Sequence, residues 1–467
     1  MGITSEVAGF VLRTTYDDLP PQVVHLSKAM MLNSAGIGLA ASVLKEGTII
    51  TQYVQDAGGT PECTVLGKAF KSSAAHAALA NGTMMHALDY DEAVLRRGCH
   101  PSNSLFPTVL ALGERLGSSG KEVLGAFAVG CEVATKVAAA GSLDEPESKL
   151  RESAWHGGPV GGVMGAAVAA GKLLGLSQEQ MEVALGIATS TASGVRANYG
   201  TATKPLDQGR AAMNGIMAAL LAQRGFTAAR DAIEHPNGFL ACFFRDAPVK
   251  EEEFIPFLGK PYDVISPGVA FKLYPCGSGL HPSIDAVLHL VHQHDLSPED
   301  VEEVQVGIAP RSQGLLSFAR PRTGLEGKFS MNFCVALAIL YRRLLISHFT
   351  DELVRDPHLV ALGEKVTVSV SERSTVQVSR PSTATIITKD GRRLVHRVEH
   401  ARGHPENPAK WVDLVEKYRY CSQGVIANQK VEMSIQLFGT LERLPDVRQL
   451  AALLAGHPGL GHTGPSD

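Results

Sequence analysis

The chain has 467 residues, of which 45% are hydrophobic and 19% are charged, a balance typical of a folded protein with a sizeable core and not of a disordered chain. Its net charge of −4, from 43 basic and 47 acidic residues, argues against a general nucleic-acid or anionic-membrane surface. The seven scattered cysteines include no CxxC pair, which argues against a disulfide framework, a zinc ribbon or an iron–sulfur cluster. We expect a cytoplasmic protein with reduced thiols, no secretory signal and no membrane span.

Helical patterns dominate the first 266 residues. Apolar residues recur at helical spacing over 120–141, and the sequence before this stretch fits a capping box of Ser119 and Glu122. The glycine- and alanine-rich segment 157–175 predicts a buried helix that packs closely on its neighbours. Ser177 is the predicted N-cap of the next helix, and a further helix is predicted from about residue 208 to 224.

The pattern changes between residues 267 and 403, where apolar and polar residues alternate and β-branched types are frequent. Strands are predicted over 301–308, 365–372, 375–380 and 384–400, the last folded back at an Asp390-Gly391 turn. Helices are predicted among them, around 282–293 and 332–345. After residue 403 helical patterns return, and the last twelve residues are predicted to be frayed. This order predicts a mainly α protein, with a large all-helical domain (1–266 and 404–467) and an inserted smaller α+β lid domain (267–403).

Titratable residues crowd the stretch 86–102. If the helix that contains His86 continues through Asp89, these two side chains lie on one face of it. Asp91 follows, and the proline after His100 disfavours helical backbone at that histidine. Carboxylates and an imidazole would then meet at a cavity suited to proton transfer at neutral pH. A solvated helix end with a surface loop explains the composition equally well.

Three further basic residues are candidates for a site that binds an anion. His156 precedes a run of glycines whose N–H groups could receive an anion at a helix N-terminus, although a tight turn explains them as well. Lys204 stands in a glycine- and threonine-rich loop before a predicted helix, and Lys272 stands between apolar and aromatic neighbours. A lysine in such a setting can clamp a carboxylate, whereas most lysines only extend along the surface into solvent.

Several short motifs occur along the chain in an order that resembles that of the MmgE/PrpD family. The motifs are NGTMMHALDYDEA, HPS, WHGG, TKPLDQGRAA, FKLYPCGSGLHPSIDA, GKFSMNFCVALAI and NPAKWVDLVEKY, and together they span nearly the whole chain. Each motif is a weak signal alone, but the ordered set is specific for a family. That family includes 2-methylcitrate dehydratase, cis-aconitate decarboxylase and iminodisuccinate epimerase. The resemblance implies a large helical domain, a smaller α+β lid, a homodimer and no cofactor.

The resemblance also implies which residues act on a small polycarboxylate substrate. The implied catalytic residues are Asp89, His100, His156, Lys204 and Lys272. We further expect Asp91, Ser102 and Ser278 to bind substrate, and we expect no metal. Two positions depart from the decarboxylase pattern, because Ala93 stands where threonine is expected and Phe333 where tyrosine is expected. These departures remove two hydroxyl groups and weigh against decarboxylation of cis-aconitate.

The predicted chemistry is proton transfer at a carbon α to a carboxylate, with the two lysines stabilising the developing enediolate. One of His100 and His156 would act as base and the other as acid, and Asp89 or Asp91 would orient an imidazole. We expect a hydro-lyase similar to 2-methylcitrate dehydratase. An isomerase similar to iminodisuccinate epimerase and a carboxy-lyase similar to cis-aconitate decarboxylase are alternatives.

Two interpretations from other functional classes stay open. One is a metal-dependent hydrolase whose ligands would be His86, Asp89, Asp91 and His100. The other is a binding protein that uses this fold without catalysis.

Overall fold

The computed structural model describes residues 2–95, 99–138, 154–244, 255–313, 316, 318–372 and 380–456. Within them the chain forms two compact units. The first consists of residues 2–87, 91–269 and 410–456, and the second of Leu88–Tyr90 and Ala270–Ala409. The chain is mainly α-helical with few strands, so the predicted fold class is confirmed. Most of the predicted strand over 375–380 and of the predicted frayed tail lies outside the described residues.

The first unit is built mainly from helices that pack on one another. In chain order they are α1 (Ile3–Arg13), α2 (Pro21–Ser42), α3 (Lys45–Ala57), α4 (Ala74–Ala87), α5 (Ser102–Leu116), α6 (Gly120–Ala138), α7 (Gly157–Leu173), α8 (Gln178–Thr191), α9 (Thr203–Gln223) and α10 (Phe239–Phe243). Short strands accompany them, namely β1 (Cys63–Thr64), β2 (Lys71–Ser72) and β3 (Ala93–Val94). No helix among the described residues is long and apolar enough to cross a membrane.

Small residues let the central helices approach closely. A Cβ atom added at Gly161 or Gly165 of α7 would lie only 2.3 or 2.4 Å from a backbone oxygen of α6. The prediction of a buried, closely packed helix in this segment is therefore confirmed. Both predicted caps are present, because Ser177 accepts from the backbone of Gln180 and the Ser119 hydroxyl accepts from the N–H of Glu122 at 3.3 Å.

One predicted helix boundary is wrong, and one condition set on another helix is not met; both lie next to candidate site residues. α9 begins at Thr203 and not near residue 208, so Lys204 lies in its first turn and not in a loop. Pro205 is tolerated there because N–H groups of the first turn have no acceptor within the helix. α4 ends at Ala87, and Asp89 has a left-handed φ of 51°. His86 and Asp89 therefore do not share a helix face.

The second unit is an α+β structure, as predicted. Its sheet has the strand order β6-β5-β7-β8, with β5 (Val301–Ile308), β6 (Val366–Val370), β7 (Ser382–Thr388) and β8 (Arg393–Val398), and β4 (Val269–Ala270) lies at the boundary between the units. β5 pairs in parallel with β6 and antiparallel with β7, and the predicted Asp390-Gly391 turn joins β7 to β8. Its helices are α11 (His281–Gln293), α12 (Pro310–Gln313), α13 (Gly324–Gly327), α14 (Met331–Tyr341) and α15 (Pro357–Glu364). Buried apolar side chains of the sheet, α11 and α14 form its core.

The chain then returns to the first unit through three helices, α16 (Trp411–Ser422), α17 (Asn428–Gly439) and α18 (Arg448–Leu454). Tyr418 of α16 is 1% exposed, and its ring would lie 3.0 Å from a Cβ added at Gly36 of α2. Its hydroxyl shares a 2.7 Å hydrogen bond with Ser434 of α17. The returning helices are therefore part of the core of the first unit.

Candidate active site

Three histidines of the first unit lie together. His86 is in the last turn of α4, His100 precedes α5, and His156 is the N-cap of α7. The ring centroid of His86 lies 5.2 Å from that of His100 and 6.0 Å from that of His156. The fold therefore brings the two histidines that were expected to be catalytic next to a third imidazole.

Asp91 orients the imidazole of His100. The Nδ1 atom of His100 lies 2.8 Å from Asp91 Oδ2 and 2.7 Å from the backbone oxygen of Glu92. Because both of these oxygens are acceptors, Nδ1 carries a proton and Nε2 is left as the nitrogen that exchanges protons with a ligand. Asp91 also accepts a 2.7 Å hydrogen bond from Asn103 Nδ2 and is fully buried. These hydrogen bonds fit a residue that orients His100 better than a residue that binds substrate directly.

A second buried carboxylate holds His156 in the same way. The Nδ1 atom of His156 lies 3.1 Å from Asp207 Oδ2, in the second turn of α9. Burial lowers the pKa of His156, and the hydrogen bond with Asp207 opposes this effect. The neutral imidazole with its proton on Nδ1 is therefore favoured. Sequence reasoning missed Asp207, although its position three residues after Lys204 becomes informative once both residues lie on a helix.

Lys204 places a buried positive charge beside these histidines. Lys204 is 5% exposed, and its Nζ lies 5.5 Å from the centre of the Tyr199 ring. Burial is the largest cause that lowers the pKa of His86, and the charge on Lys204 is the second largest. The charge on Lys204 also lowers the pKa of His156. An ammonium group this close to two neutral imidazoles favours a negatively charged ligand or intermediate.

His86 is the most deeply buried imidazole of the group. Burial is the largest cause that lowers its pKa, to about 3, and the charge of Lys204 adds to it. Its Nδ1 lies 3.0 Å from Asp91 Oδ2, while its Nε2 is buried and has no hydrogen-bond partner among the described residues. His86 therefore stays neutral at physiological pH, and its ring packs near the two other rings.

We expect protonation of His86 to make the protein less stable in acid. The unfolded chain takes up a proton near the ordinary pKa of 6.5, whereas the folded chain resists it until about pH 3. Stability is therefore lost as pH falls through this window, by at most about 1.4 kcal/mol per pH unit for this residue. The melting temperature of His86→Gln should fall less between pH 6.5 and 4.5 than that of the wild type or of His76→Gln. Equal slopes in all three proteins would contradict this assignment.

Glu92 is a buried carboxyl group next to Asp91 in the chain. It is fully buried, and Asn33 Nδ2 donates a 2.9 Å hydrogen bond to its Oε2. Burial raises the pKa of Glu92, as does the neighbouring charge of Asp91, whereas the hydrogen bond from Asn33 lowers it. Ser102, which was expected to bind substrate, is itself fully buried. Burial and the charge of Asp91 therefore favour the protonated form of Glu92 more than in an exposed glutamate.

Replacing the carboxyl group of Asp91 or of Glu92 by an amide should have different effects on activity. Asp91→Asn removes the charge that orients His100, so we expect kcat/KM to fall at least about tenfold. Glu92→Gln keeps nearly the same shape, and the described contact of Glu92 with His100 is through its backbone oxygen, so we expect a change of less than about threefold. Activity and melting temperature of both variants should be measured together. A larger loss for Glu92→Gln than for Asp91→Asn, at equal stability, would reverse these roles.

The remaining expected catalytic residues, Asp89 and Lys272, belong to the second unit. Lys272 Nζ lies 3.4 Å from Asp89 Oδ1, and both residues are buried. The left-handed backbone of Asp89 is uncommon outside glycine, and such conformations cluster at functional sites. Ser278, expected to bind substrate, accepts a 3.1 Å hydrogen bond from Arg380 in the same unit.

The two positions that depart from the decarboxylase pattern are both buried. Ala93 lies in β3 of the first unit and is 6% exposed. Phe333 lies in α14 of the second unit, where its ring packs in the core with its centre 5.9 Å from that of Phe349. Neither side chain can supply a hydroxyl group to a substrate.

The four residues named as ligands of a metal-dependent hydrolase do not form a metal site. Within the described ranges, no group of three or more His, Cys, Asp or Glu side chains is arranged to hold a metal ion. His86, Asp91 and His100 instead form the hydrogen-bonded network described above.

Comparison with known proteins identifies the family. Models of the MmgE/PrpD N-terminal domain and the MmgE/PrpD C-terminal domain match residues 5–252 and 274–443. A cis-aconitate decarboxylase of Aspergillus terreus is 29% identical over 97% of this chain and 96% of its own length. Those of Mus musculus and Homo sapiens are 28% and 29% identical over 97% of this chain, with 93% and 95% of their own lengths covered. The resemblance based on the sequence motifs is confirmed: the chain belongs to the MmgE/PrpD family and is an enzyme of that family, a lyase or an isomerase.

Proposed function

We propose that the protein is a cofactor-independent carboxy-lyase that removes CO₂ from a small unsaturated tricarboxylate of the cis-aconitate class. The observation that carries this proposal is the pair of carboxylate-oriented histidines beside the buried ammonium of Lys204. The similar proteins named cis-aconitate decarboxylase, which match over nearly their whole length, favour this reaction over the hydro-lyase expected from the sequence. The proposed reaction does without hydroxyl groups at positions 93 and 333.

The chemistry requires one charge to be stabilised and one proton to be delivered. When the bond between carbon and a carboxylate breaks, CO₂ leaves and the electron pair spreads over the adjacent double bond and a remaining carboxylate. Lys204 stabilises this dienolate by its positive charge. A protonated histidine then donates its Nε2 proton to carbon, so that the tricarboxylate and one proton become a dicarboxylate and CO₂.

We assign the proton donor to His100. Its side chain is 16% exposed, so solvent can reach it, and the carboxylate of Asp91 holds its Nδ1 at 2.8 Å. His156 is almost fully buried, and burial lowers its pKa, so it acts as a neutral group that binds and orients the substrate. The proton would return to His100 from solvent after each turnover.

A hydro-lyase is the second candidate, and the same two histidines support it. One imidazole would take the proton from carbon, and the other would protonate the leaving hydroxyl group. An epimerase would use the same pair on opposite faces of the substrate. These reactions differ from decarboxylation in the product and not in the residues they need.

The test is an assay of the purified protein with cis-aconitate, 2-methylcitrate, citrate and iminodisuccinate in D₂O, with CO₂ measured and products followed by NMR. Release of CO₂ from cis-aconitate, unchanged by a chelator, is the expected result. Loss or gain of water without CO₂ would replace the proposal with the hydro-lyase. Deuterium exchange alone would indicate the epimerase. If activity disappears with the chelator and returns with added metal, the metal-dependent hydrolase gains support; binding without any reaction or exchange points to a non-catalytic protein.

A further inference from the structure

Asn103 contacts both the carboxylate that orients His100 and a second histidine. It is the second residue of α5 and is fully buried. Its Nδ2 atom lies 2.7 Å from Asp91 Oδ2 and 3.0 Å from His86 Nδ1. The same Asp91 oxygen lies 2.8 Å from His100 Nδ1 and 3.0 Å from His86 Nδ1. One carboxylate oxygen is therefore in contact with three nitrogen atoms, which come from α4, from α5 and from the residue just before Pro101.

The carboxylate of Asp91 determines which way the amide of Asn103 faces. If the amide oxygen faced Asp91 Oδ2, two oxygens without a proton between them would repel each other, so the nitrogen must face it. At 2.7 Å this contact is a short hydrogen bond from an amide to a carboxylate, which is stronger than a bond between neutral groups. The amide oxygen of Asn103 is buried and has no hydrogen-bond partner among the described residues. The amide is therefore positioned through its nitrogen.

The same three atoms determine where His86 carries its proton. Asp91 Oδ2, Asn103 Nδ2 and His86 Nδ1 lie 2.7–3.0 Å from one another. The two N–H bonds of an amide nitrogen diverge too widely to point at both other corners of so small a triangle, and strongly bent hydrogen bonds are weak. Asn103 therefore donates to Asp91, and the proton between His86 and Asp91 belongs to His86 Nδ1. Neutral His86 is consequently protonated on Nδ1 and unprotonated on Nε2.

These bonds to one oxygen link Asn103 to the position of His100. The Nδ1–H of His100 keeps its acceptor only while the carboxylate of Asp91 holds its present orientation. Asn103 and His86 donate to the same oxygen from other directions, so they restrict rotation of the carboxylate. A group that transfers a proton works only in a narrow range of geometry, which buried hydrogen bonds behind it maintain.

We propose that Asn103 is a positioning residue for the proton transfer assigned to His100, which it supports by holding Asp91 Oδ2 against the Nδ1 atom of that histidine. The inference rests on the proposed function for the identity of the reaction. Asn103 does not touch the substrate, so it should affect the rate of reaction much more than the binding of substrate.

The first experiment measures steady-state kinetics of Asn103→Leu, which keeps nearly the same volume and removes the donor. Loss of a hydrogen bond to a charged group predicts a fall in kcat of about 10–100-fold, with KM changed less than about threefold. The same substitution at Asn428, an exposed residue that begins α17, is the matched control and should leave both constants unchanged. If Asn103→Leu folds normally and keeps kcat within about threefold of the wild type, the proposal is wrong.

The second experiment uses Asn103→Asp, because a purely structural role would not give its pH dependence. When the introduced carboxyl group is protonated, it donates to Asp91 much as the amide does; when it is ionised, two carboxylates repel each other at the same place. The kcat of this variant relative to the wild type should therefore be highest at about pH 5.5 and fall towards about pH 8. The relative kcat of Asn103→Leu and of Asn428→Asp should not change with pH. A constant ratio for Asn103→Asp would contradict the proposal.

The third experiment reads the network without any reaction, by NMR of protein labelled with ¹⁵N in its histidines. The signals lost in His86→Gln should show a neutral ring with its proton on Nδ1; a proton on Nε2 would contradict the network. The Nδ1 signal lost in His100→Ala should shift in Asn103→Leu and stay in place in Asn428→Leu. If the wild type releases no CO₂ from cis-aconitate but these patterns are seen, the proposed function fails and the positioning role stands. An unmoved His100 signal in folded Asn103→Leu would remove that role.

Discussion

Replacing His100 by alanine is expected to lower kcat/KM for cis-aconitate about 10²–10⁴-fold, the usual effect of removing a general acid. The reason is that His100 combines an orienting carboxylate at Nδ1 with the solvent access needed to reload its proton. Added imidazole should restore part of the activity, because the small molecule can occupy the emptied space and donate a proton. Steady-state kinetics with and without imidazole would measure both effects.

The control for this variant is His76→Ala, which removes a partly exposed histidine from α4 in the same unit. It should retain the activity of the wild type. If His100→Ala folds normally and keeps kcat/KM within about threefold of the wild type, His100 does not donate the proton. The same loss without rescue by imidazole, together with a lower melting temperature, would indicate a structural role instead.

Replacing Lys204 by methionine should lower kcat about 10²–10³-fold, because it removes the cation proposed to stabilise the dienolate while keeping most of the side-chain volume. The charge of Lys204 lowers the pKa of His86 and of His156, so its removal should also raise both pKa values. The inflection of the pH–rate profile that reflects protonation of His156, the histidine proposed to bind substrate in its neutral form, should therefore move to higher pH. The profile distinguishes loss of a nearby charge from simple loss of packing.

Lys121→Met is the matched control, because Lys121 is an exposed lysine of the same unit that pairs with Asp17. We expect neither its kcat nor its pH profile to change. Lys204→Arg should recover part of the activity, since the charge returns in a different shape. A Lys204→Met enzyme with a normal kcat and an unshifted profile would remove Lys204 from the proposed mechanism.

The fold could be predicted well from the sequence because local signals determine much of it. Hydrophobic spacing and caps such as Ser177 locate helices, and Asp390-Gly391 locates the hairpin turn. The end of α4 could not be located, because no glycine or proline follows Ala87 and the turn is made by Asp89. Aspartate adopts a left-handed backbone more readily than most residues. Because most aspartates do not adopt it, the presence of Asp89 alone does not predict the end of the helix.

The candidate site was predicted less completely than the fold, because hydrogen-bond partners are chosen by tertiary structure. His156 finds Asp207 51 residues away in the chain, and Asn103 reaches the Asp91 network from α5. No spacing rule connects such residues. Likewise, nothing in the sequence near Arg380 indicates that it contacts Ser278, which lies 102 residues earlier. The types of residue were informative, whereas their pairing required the fold.

The discontinuous first unit has a consequence for synthesis on the ribosome. α16 covers α2, and the ring of Tyr418 fills the space above Gly36, so this core is incomplete until residues near 418 have emerged. At about 5–20 residues per second, the stretch between α10 and α16 delays that step by roughly 10–30 s. During this interval the apolar surface of α2 lacks its cover, while nearly all of the second unit is already available. We therefore expect the second unit to complete its folding on the ribosome before the first unit does.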